Sequence, residues 1–399
     1  MFLNRTWFHC LPRCFTSKSR ITSIFTESKF QFSNLNIIKG RIALLEVKHY
    51  SNANMTPDMK KFKSESPKIG THSGRFHCDE VLACFMLQQT EKYRNAEIIR
   101  SRDPAVYNTC DIVVDVGGVF NKEANRFDHH QNSFRETLSS LRPELGGSYD
   151  IRLSSAGLIY TYFGEEIISS ILAKHKNLIV PEESMEILYK KIYENFIREI
   201  DAIDNGVPIC EGEPRYHITT SLSARAERIN PVWNTKETID ENILFEKSKA
   251  LVGAEFIDRV LFYGTSWLPA RDIVISAIKT AKEVYPTGEI LELATPCPWK
   301  EHLFDLEEYY GIVGVPKYVL MPDNHTDWRV ICVPNQPSSF ICRKFLHKNW
   351  RGKTKDEIIK HSGIADAQFC HSTGFIGGAA SREGAYQMAT QSLLGDYVD

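Results

Sequence analysis

Ile112-Val113-Val114-Asp115-Val116-Gly117-Gly118 is the stretch on which the fold turns. A short β-branched run stopped by glycines reads as a strand buried on both faces, the habit of parallel sheets. Two short runs upstream, Lys68–His72 and Ala96–Ser101, also read as strands. Between them, Asp79–Thr90 carries Val81, Leu82, Ala83, Phe85, Met86 and Leu87, apolar nearly all round, which predicts a buried helix. Strand, helix, strand at this rhythm implies βαβ units with right-handed crossovers. Downstream, Ser154 or Ser155 caps a helix through Leu158, Ile159, Tyr162 and Phe163. Further helices are predicted at Glu183–Ile203, ended by Asn205-Gly206, and at Leu244–Phe262.

Beyond Tyr263 the pattern changes. Trp267-Leu268-Pro269-Ala270-Arg271 reads as a helix break. Strands are predicted at Glu289–Leu293, Tyr318–Met321, Trp328–Val333 and Gln368–His371, with a helix at Lys355–His361. Gly374-Phe375-Ile376-Gly377-Gly378 then reads as a glycine-rich turn into a helix capped by Ser381. The fold class is therefore α/β. A parallel-sheet domain over residues 68–265, with helices on both faces, precedes a smaller α/β domain over residues 266–399.

The chain has 399 residues, 42% apolar and 25% charged, ordinary values for a globular protein. The net charge of -2 excludes a polyelectrolyte binder, so any nucleic acid must be met by local basic patches or by metal ions. No apolar run approaches the roughly 18 residues of a membrane span. Ten cysteines without C-x-x-C spacing suggest a reducing compartment. Residues 1–26 hold Arg5, Arg13, Lys18 and Arg20 but no acid, which suits a mitochondrial transit peptide within residues 1–50. Residues 51–67, polar with Pro57 and Pro67, read as a linker.

In an open parallel sheet, ligands gather beyond the carboxyl ends of the strands. His72 closes the first predicted strand, and His77 and Asp79 follow on the next turn. Asp115 ends another strand. Asp128, His129 and His130 lie in the loop beyond it, and Asp204 stands at a helix end. Imidazole and carboxylate together suit divalent transition metals, and two such ions a few Å apart make a phosphoester-hydrolysing site.

His72-x4-His77-x-Asp79, Asp115, Asp128-His129-His130 and Asp204-Asn205-Gly206 resemble, in order, the four motifs of the DHH phosphoesterase superfamily. More narrowly, Gly70-Thr71-His72, Val113–Gly118, Tyr193–Phe196, Glu211–Tyr216, Ser266–Arg271 and Cys297–His302 resemble the melanocyte-proliferating-gene exonuclease family, over about residues 68–395. The resemblance implies a two-lobed, metal-dependent 3′-to-5′ RNA exonuclease acting in the mitochondrial matrix and in the nucleus or nucleolus. It implies two divalent ions, Mn²⁺ foremost, with Mg²⁺ or Co²⁺ as alternatives. His72, His77 and Asp115 would hold one ion; Asp79, Asp115, His129 and Asp204 the other. Asp128 would orient a neighbouring imidazole, and His130 would contact the scissile phosphate or protonate the leaving oxygen. Many superfamily members carry Asp where this chain has His77, a softer ligand that favours Mn²⁺, Co²⁺ or Zn²⁺ over Mg²⁺. Asp201, one helical turn before Asp204, is the competing choice for that ligand; Asp204 is preferred because Asn205-Gly206 exposes it.

Candidate substrate contacts are Arg215, Arg225, Arg271 and Lys300, together with His371 and the backbone of Gly374, Gly377 and Gly378, where amides and a helix N-terminus could hold phosphate. The basic run Arg343–Lys355, interleaved with Phe345 and Trp350, could meet single-stranded nucleic acid or be a solvated surface. Two other functions fit the same residues: a small-molecule or short-oligonucleotide phosphoesterase, and a non-catalytic RNA-binding scaffold. The sequence does not reveal an oligomeric state.

Overall fold

The computed structural model describes residues 66–395 except 238, 324 and 325. The transit-peptide reading and nearly all of the linker lie outside the described residues. Two five-stranded sheets organise the rest.

The first is built from β1 (Lys68–Thr71), β2 (Glu97–Arg100), β3 (Ile112–Val114), β4 (Phe120–Asn121) and β5 (Arg126–Phe127), in the order β2-β1-β3-β5-β4. All its pairings are parallel except β4 with β5. Ile69, Val113 and Val114 are fully buried, as the apolar runs predict. The helix Cys78–Leu87 connects β1 to β2 and is buried at nine of its ten positions. It packs on the long helices Ser155–Lys176 and Glu241–Phe262. Ser154 is the cap of the former, its Oγ accepting from Gly157 N–H.

The second sheet contains β6 (Ile290–Glu292), β7 (Tyr318–Pro322), β8 (Trp328–Cys332), β9 (Ala367–Cys370) and β10 (Ile376–Ala379), ordered β6-β7-β8-β10-β9. Only β6 and β7 run parallel. The architecture is thus α/β in two lobes, the first sheet nearly all parallel and the second mixed. Core residues of the first sheet extend as far as Leu268, and those of the second begin at Ile273.

The structure corrects two expectations. Trp267–Arg271 does not break a helix. Glu241–Phe262 continues through a π-turn, Tyr263–Trp267, into Leu268–Lys279. Pro269 sits in the first turn of that last segment. There its missing N–H costs little, because the wider turn has already displaced the hydrogen-bond ladder. A second π-turn, Tyr193–Ile197, interrupts the helix predicted at Glu183–Ile203. The other correction is that Ile376–Ala379 is a strand, not a turn. Gly377 and Gly378 pair with β8 on one side and β9 on the other. A Cβ at Gly377 would stand 2.8 Å from Leu346 and Met388, and one at Gly378 2.6 Å from Phe369, so close packing requires glycine at both.

Candidate metal centre

Three adjacent parallel strands end at the same edge of the first sheet, and each delivers polar side chains there. His72 follows β1, Asp115 follows β3, and Asp128-His129-His130 follow β5. Asp79 and Glu80 lie in the first turn of the helix that leaves β1, and Asp204 is the last residue of Arg198–Asp204. Asp115 itself has φ of +57°, a left-handed conformation that carries strain for a side-chain-bearing residue. The glycines that follow, Gly117 and Gly118, also have positive φ and turn the chain back into the site.

The side chains converge. His72 Nε2 lies 3.3 Å from Asp115 Oδ2 and 3.0 Å from Glu80 Oε1. On the opposite side, His129 Nε2 lies 3.3 Å from Asp115 Oδ1, 3.2 Å from Asp204 Oδ2 and 3.9 Å from Asp79 Oδ2. Asp115 therefore turns one oxygen toward each of two groups. Ligand atoms of four overlapping sets lie within 4.8 Å of one another: His72, His77 and Glu80; Asp115, His129 and His130; Asp79, His129 and Asp204; Asp79, Glu80 and Asp115. His72, Asp79, Glu80, Asp115 and His129 are all under 5% exposed.

The electrostatics of this cage are incomplete. Neither oxygen of Asp79 and neither nitrogen of His129 has a hydrogen-bond partner among the described residues. Burial, with Asp115 and Asp204 nearby, raises the Asp79 carboxyl well above its ordinary range. Burial also raises Asp204, against the pull of His129. Burial opposes ionisation of Asp115 as well, but His129 and His72 outweigh it and leave that carboxyl depressed. His72 is the counterpart: burial would lower it, yet Asp115 and Glu80 raise it to about 10. The His72 imidazole does part of the work of a cation here. Buried carboxylates without partners are costly unless a positive charge joins them. A mixed nitrogen and oxygen donor set of this kind fits divalent transition metals.

Around the cage, other groups fix its members. Ser155 Oγ, at the start of its helix, lies 3.0 Å from Asp115 Oδ1, to which it donates. Asp128 accepts from Gly118 N–H at 2.6 Å and from the His130 backbone at 3.1 Å. Its Oδ1 also holds His130 Nδ1 at 2.8 Å. Burial works against the Asp128 charge, but His130 and the two amides keep its carboxyl low. Asp128 in turn raises the basicity of His130. The His130 side chain is 62% exposed, so its remaining nitrogen is open to solvent.

Asp201 serves a different purpose from Asp204. Its Oδ1 accepts from Ser154 N–H at 2.9 Å and Ser154 Oγ–H at 2.7 Å, and its Oδ2 accepts from Tyr193 O–H at 3.3 Å. Gly157 makes room for it, since a Cβ there would meet Asp201 Oδ1 at 2.3 Å. Asp201 thus anchors the N-terminus of Ser155–Lys176, and Asp204 faces the cage.

Glu80 was passed over by sequence reasoning. It sits at the third position of a helix, where a glutamate commonly accepts from the cap residue's N–H, and it does so to His77 at 2.9 and 3.0 Å. Its contact with His72 is what the sequence could not show.

The substrate candidates do not gather at the cage. Arg215 is exposed in an irregular segment. Arg225 lies 3.7 Å from Glu255, and Arg271 pairs with Asp305. Lys300 starts the helix Lys300–Tyr310 and lines a cleft of about 330 Å³ with Cys297, Trp299 and Ser338. His371 accepts from Thr373 N–H at 3.2 Å and packs edge-on against Phe375. Gly374 has φ of +77° and lies against Arg351, while Gly377 and Gly378 give their backbones to the sheet. In the basic run, Arg343 is bound to Glu307 and Trp350 is 1% exposed, so neither offers itself to a nucleic acid. Among the described residues, no helix is long and apolar enough to cross a membrane.

Comparison with known proteins identifies the family. Residues 68–393 match the family model MYG1_exonuc, described as an uncharacterised protein family (UPF0160). The MYG1 exonuclease of Bos taurus is 47% identical over 329 residues, covering 82% of this chain and 84% of its own length. That of Homo sapiens is 47% identical over 343 residues, covering 84% and 89%. The MYG1 protein of Saccharomyces cerevisiae is 38% identical over 337 residues, covering 82% and 96%. No solved structure matches the chain.

Proposed function

The chain belongs to the MYG1 exonuclease family, and on that premise we propose that it is a metal-dependent 3′-to-5′ exonuclease that hydrolyses RNA at the cage around Asp115. The observation that carries this reading is the division of the Asp115 oxygens between His72 and His129, the arrangement a bridging carboxylate needs. His72, His77 and Asp115 would hold one divalent ion, with Glu80 beside them; Asp79, Asp115, His129 and Asp204 would hold the other. Mn²⁺ is the preferred ion on the softness of three imidazoles. The same layout supports placement in the DHH phosphoesterase superfamily.

When bound, the ions supply charge neutralisation at phosphorus and an acidified water. The chain's own residues do the rest. Asp115, held by Ser155, keeps the two halves of the cage in register. Asp128 fixes His130 through Nδ1 and favours its protonated form, so the exposed Nε2–H is placed to donate to the departing oxygen. Action on mitochondrial and nuclear RNA, and a boundary between catalytic and substrate-binding domains near residue 265, belong to the same proposal.

The test is purified protein from residue 64 onward on 3′- and 5′-labelled RNA, with Mn²⁺, Mg²⁺ or chelator. A ladder shortening from the 3′ end, dependent on Mn²⁺, is expected. Cleavage confined to substrates of two or three nucleotides would transfer the reading to a short-oligonucleotide phosphoesterase. RNA retention with the same turnover in Asp115→Ala would leave only a scaffold.

A further inference from the structure

His130 is assigned above to the departing oxygen, and the cations singled out from sequence do not lie against the cage, which leaves the non-bridging phosphate oxygens without an assigned side chain among the described residues. Three other arginines surround the turn His72–His77. Arg75 is paired with Glu227 at 2.8 Å. Arg100, at the end of β2, donates to Gly74 O at 2.5 Å and lies over the Phe245 ring, 4.7 Å from its centroid. Arg102, two residues beyond, is exposed. Its Nε donates to Ser73 O at 3.0 Å, and its Nη2 stands 3.2 Å from His72 Nδ1. Among the described residues no carboxylate lies within ion-pair distance of Arg102, and its Nη2 is in close contact with a member of the cage.

We infer that Arg102 is a phosphate-binding residue of this site, directing its guanidinium to the non-bridging oxygens of the scissile phosphate. The inference rests on the nuclease reading above and names a residue for it. Guanidinium remains charged at every working pH and suits paired oxygens of a phosphate. The anchor through Nε to Ser73 O sets the fork at the cage rim and leaves Nη1 uncommitted. Nη2 stands beside the His72 ring rather than against a carboxylate, so it too is available to a phosphate oxygen bound at the cage.

Two measurements on the full chain test this. The first is calorimetric binding of Mn²⁺ alone, then of adenosine 5′-monophosphate to the Mn²⁺-loaded protein. The second is steady-state hydrolysis of single-stranded RNA. For Arg102→Gln, the affinity for the monophosphate and kcat/KM should each fall about 10- to 100-fold, the worth of a charge-assisted hydrogen bond, with Mn²⁺ affinity within about 3-fold of the parent. Arg102→Lys should recover part of the loss. A drop in Mn²⁺ affinity with monophosphate binding and KM unchanged would overturn the inference, making Arg102 a prop for His72. Should the parent protein show no RNA cleavage, the nuclease reading fails. The monophosphate titration still decides on Arg102: equal binding by parent and variant overturns it.

Discussion

Two sets of buried charge can be compared in this molecule. In the second lobe, Arg343 meets Glu307 through two hydrogen bonds, 2.5 Å from Nη1 to Oε1 and 2.8 Å from Nη2 to Oε2. Both are nearly inaccessible, and Arg343 also donates to Pro316 O at 3.0 Å. That pair is complete. In the first lobe, Asp79, Glu80, Asp115 and Asp204 crowd against His72 and His129, and neither oxygen of Asp79 has a hydrogen-bond partner among the described residues. Burial alone therefore does not mark a functional group. A paired charge stabilises an arrangement of elements, whereas an unpaired one keeps a place for something that arrives later.

The comparison can be broken by variants that should act on one set only. Asp115→Asn keeps the shape and removes the shared charge; kcat/KM on RNA should fall about 10³-fold or more, with the melting temperature in chelator lowered only modestly, because the attractions of His72 and His129 to the carboxylate are lost along with its repulsion of Asp79 and Asp204. Loss of stability in chelator with activity retained would show that Asp115 is structural. Glu307→Gln should do the reverse. It strands Arg343 in the second lobe and should cost about 3 kcal/mol or more in denaturant unfolding, leaving Mn²⁺ affinity unaltered. His130→Gln should lower kcat about 10²-fold and leave Mn²⁺ affinity within a few-fold, if its role is proton donation at the exposed rim. Equal losses in metal affinity and kcat would make it a ligand instead.

The smallest effect concerns a buried group outside both sets. His302 Nε2 lies 2.8 Å from Trp267 O, and burial holds the ring's pKa below the ordinary 6.5. The unfolded chain takes up this proton more readily than the folded one. Stability is therefore full above about 6.5 and is lost as pH falls below it, by at most about 1.4 kcal/mol per pH unit. Melting curves between pH 8 and 5 should show this slope, and His302→Gln should flatten it. An unchanged slope in the variant would assign it to other groups.

Much of the first lobe was legible because each signal was local. The runs at Lys68, Ala96 and Ile112 are long enough to register as strands, and the polar residues stand at their ends. Asp204 could be preferred to Asp201 because glycine follows it, although only the structure shows Asp201 bonded to Ser154. The rest was hidden for physical reasons. β4 and β5 are two residues each, too short to show a periodicity. Pro269 looks like a helix breaker, and no propensity announces the π-turn that accommodates it. Gly377 and Gly378 resemble a turn because glycine in a strand interior is demanded by neighbours far away in sequence, here Leu346, Met388 and Phe369. Glu80 and Arg102 look like an ordinary helix-start acid and a surface base until the fold sets both beside His72.

The measurement closest to the centre of this account is a calorimetric Mn²⁺ titration of chelator-treated protein, parent beside Asp115→Asn. The account predicts two ions per chain in the parent, with the second lost or both weakened together in the variant. One ion or none in the parent, or identical isotherms for the two proteins, would contradict it.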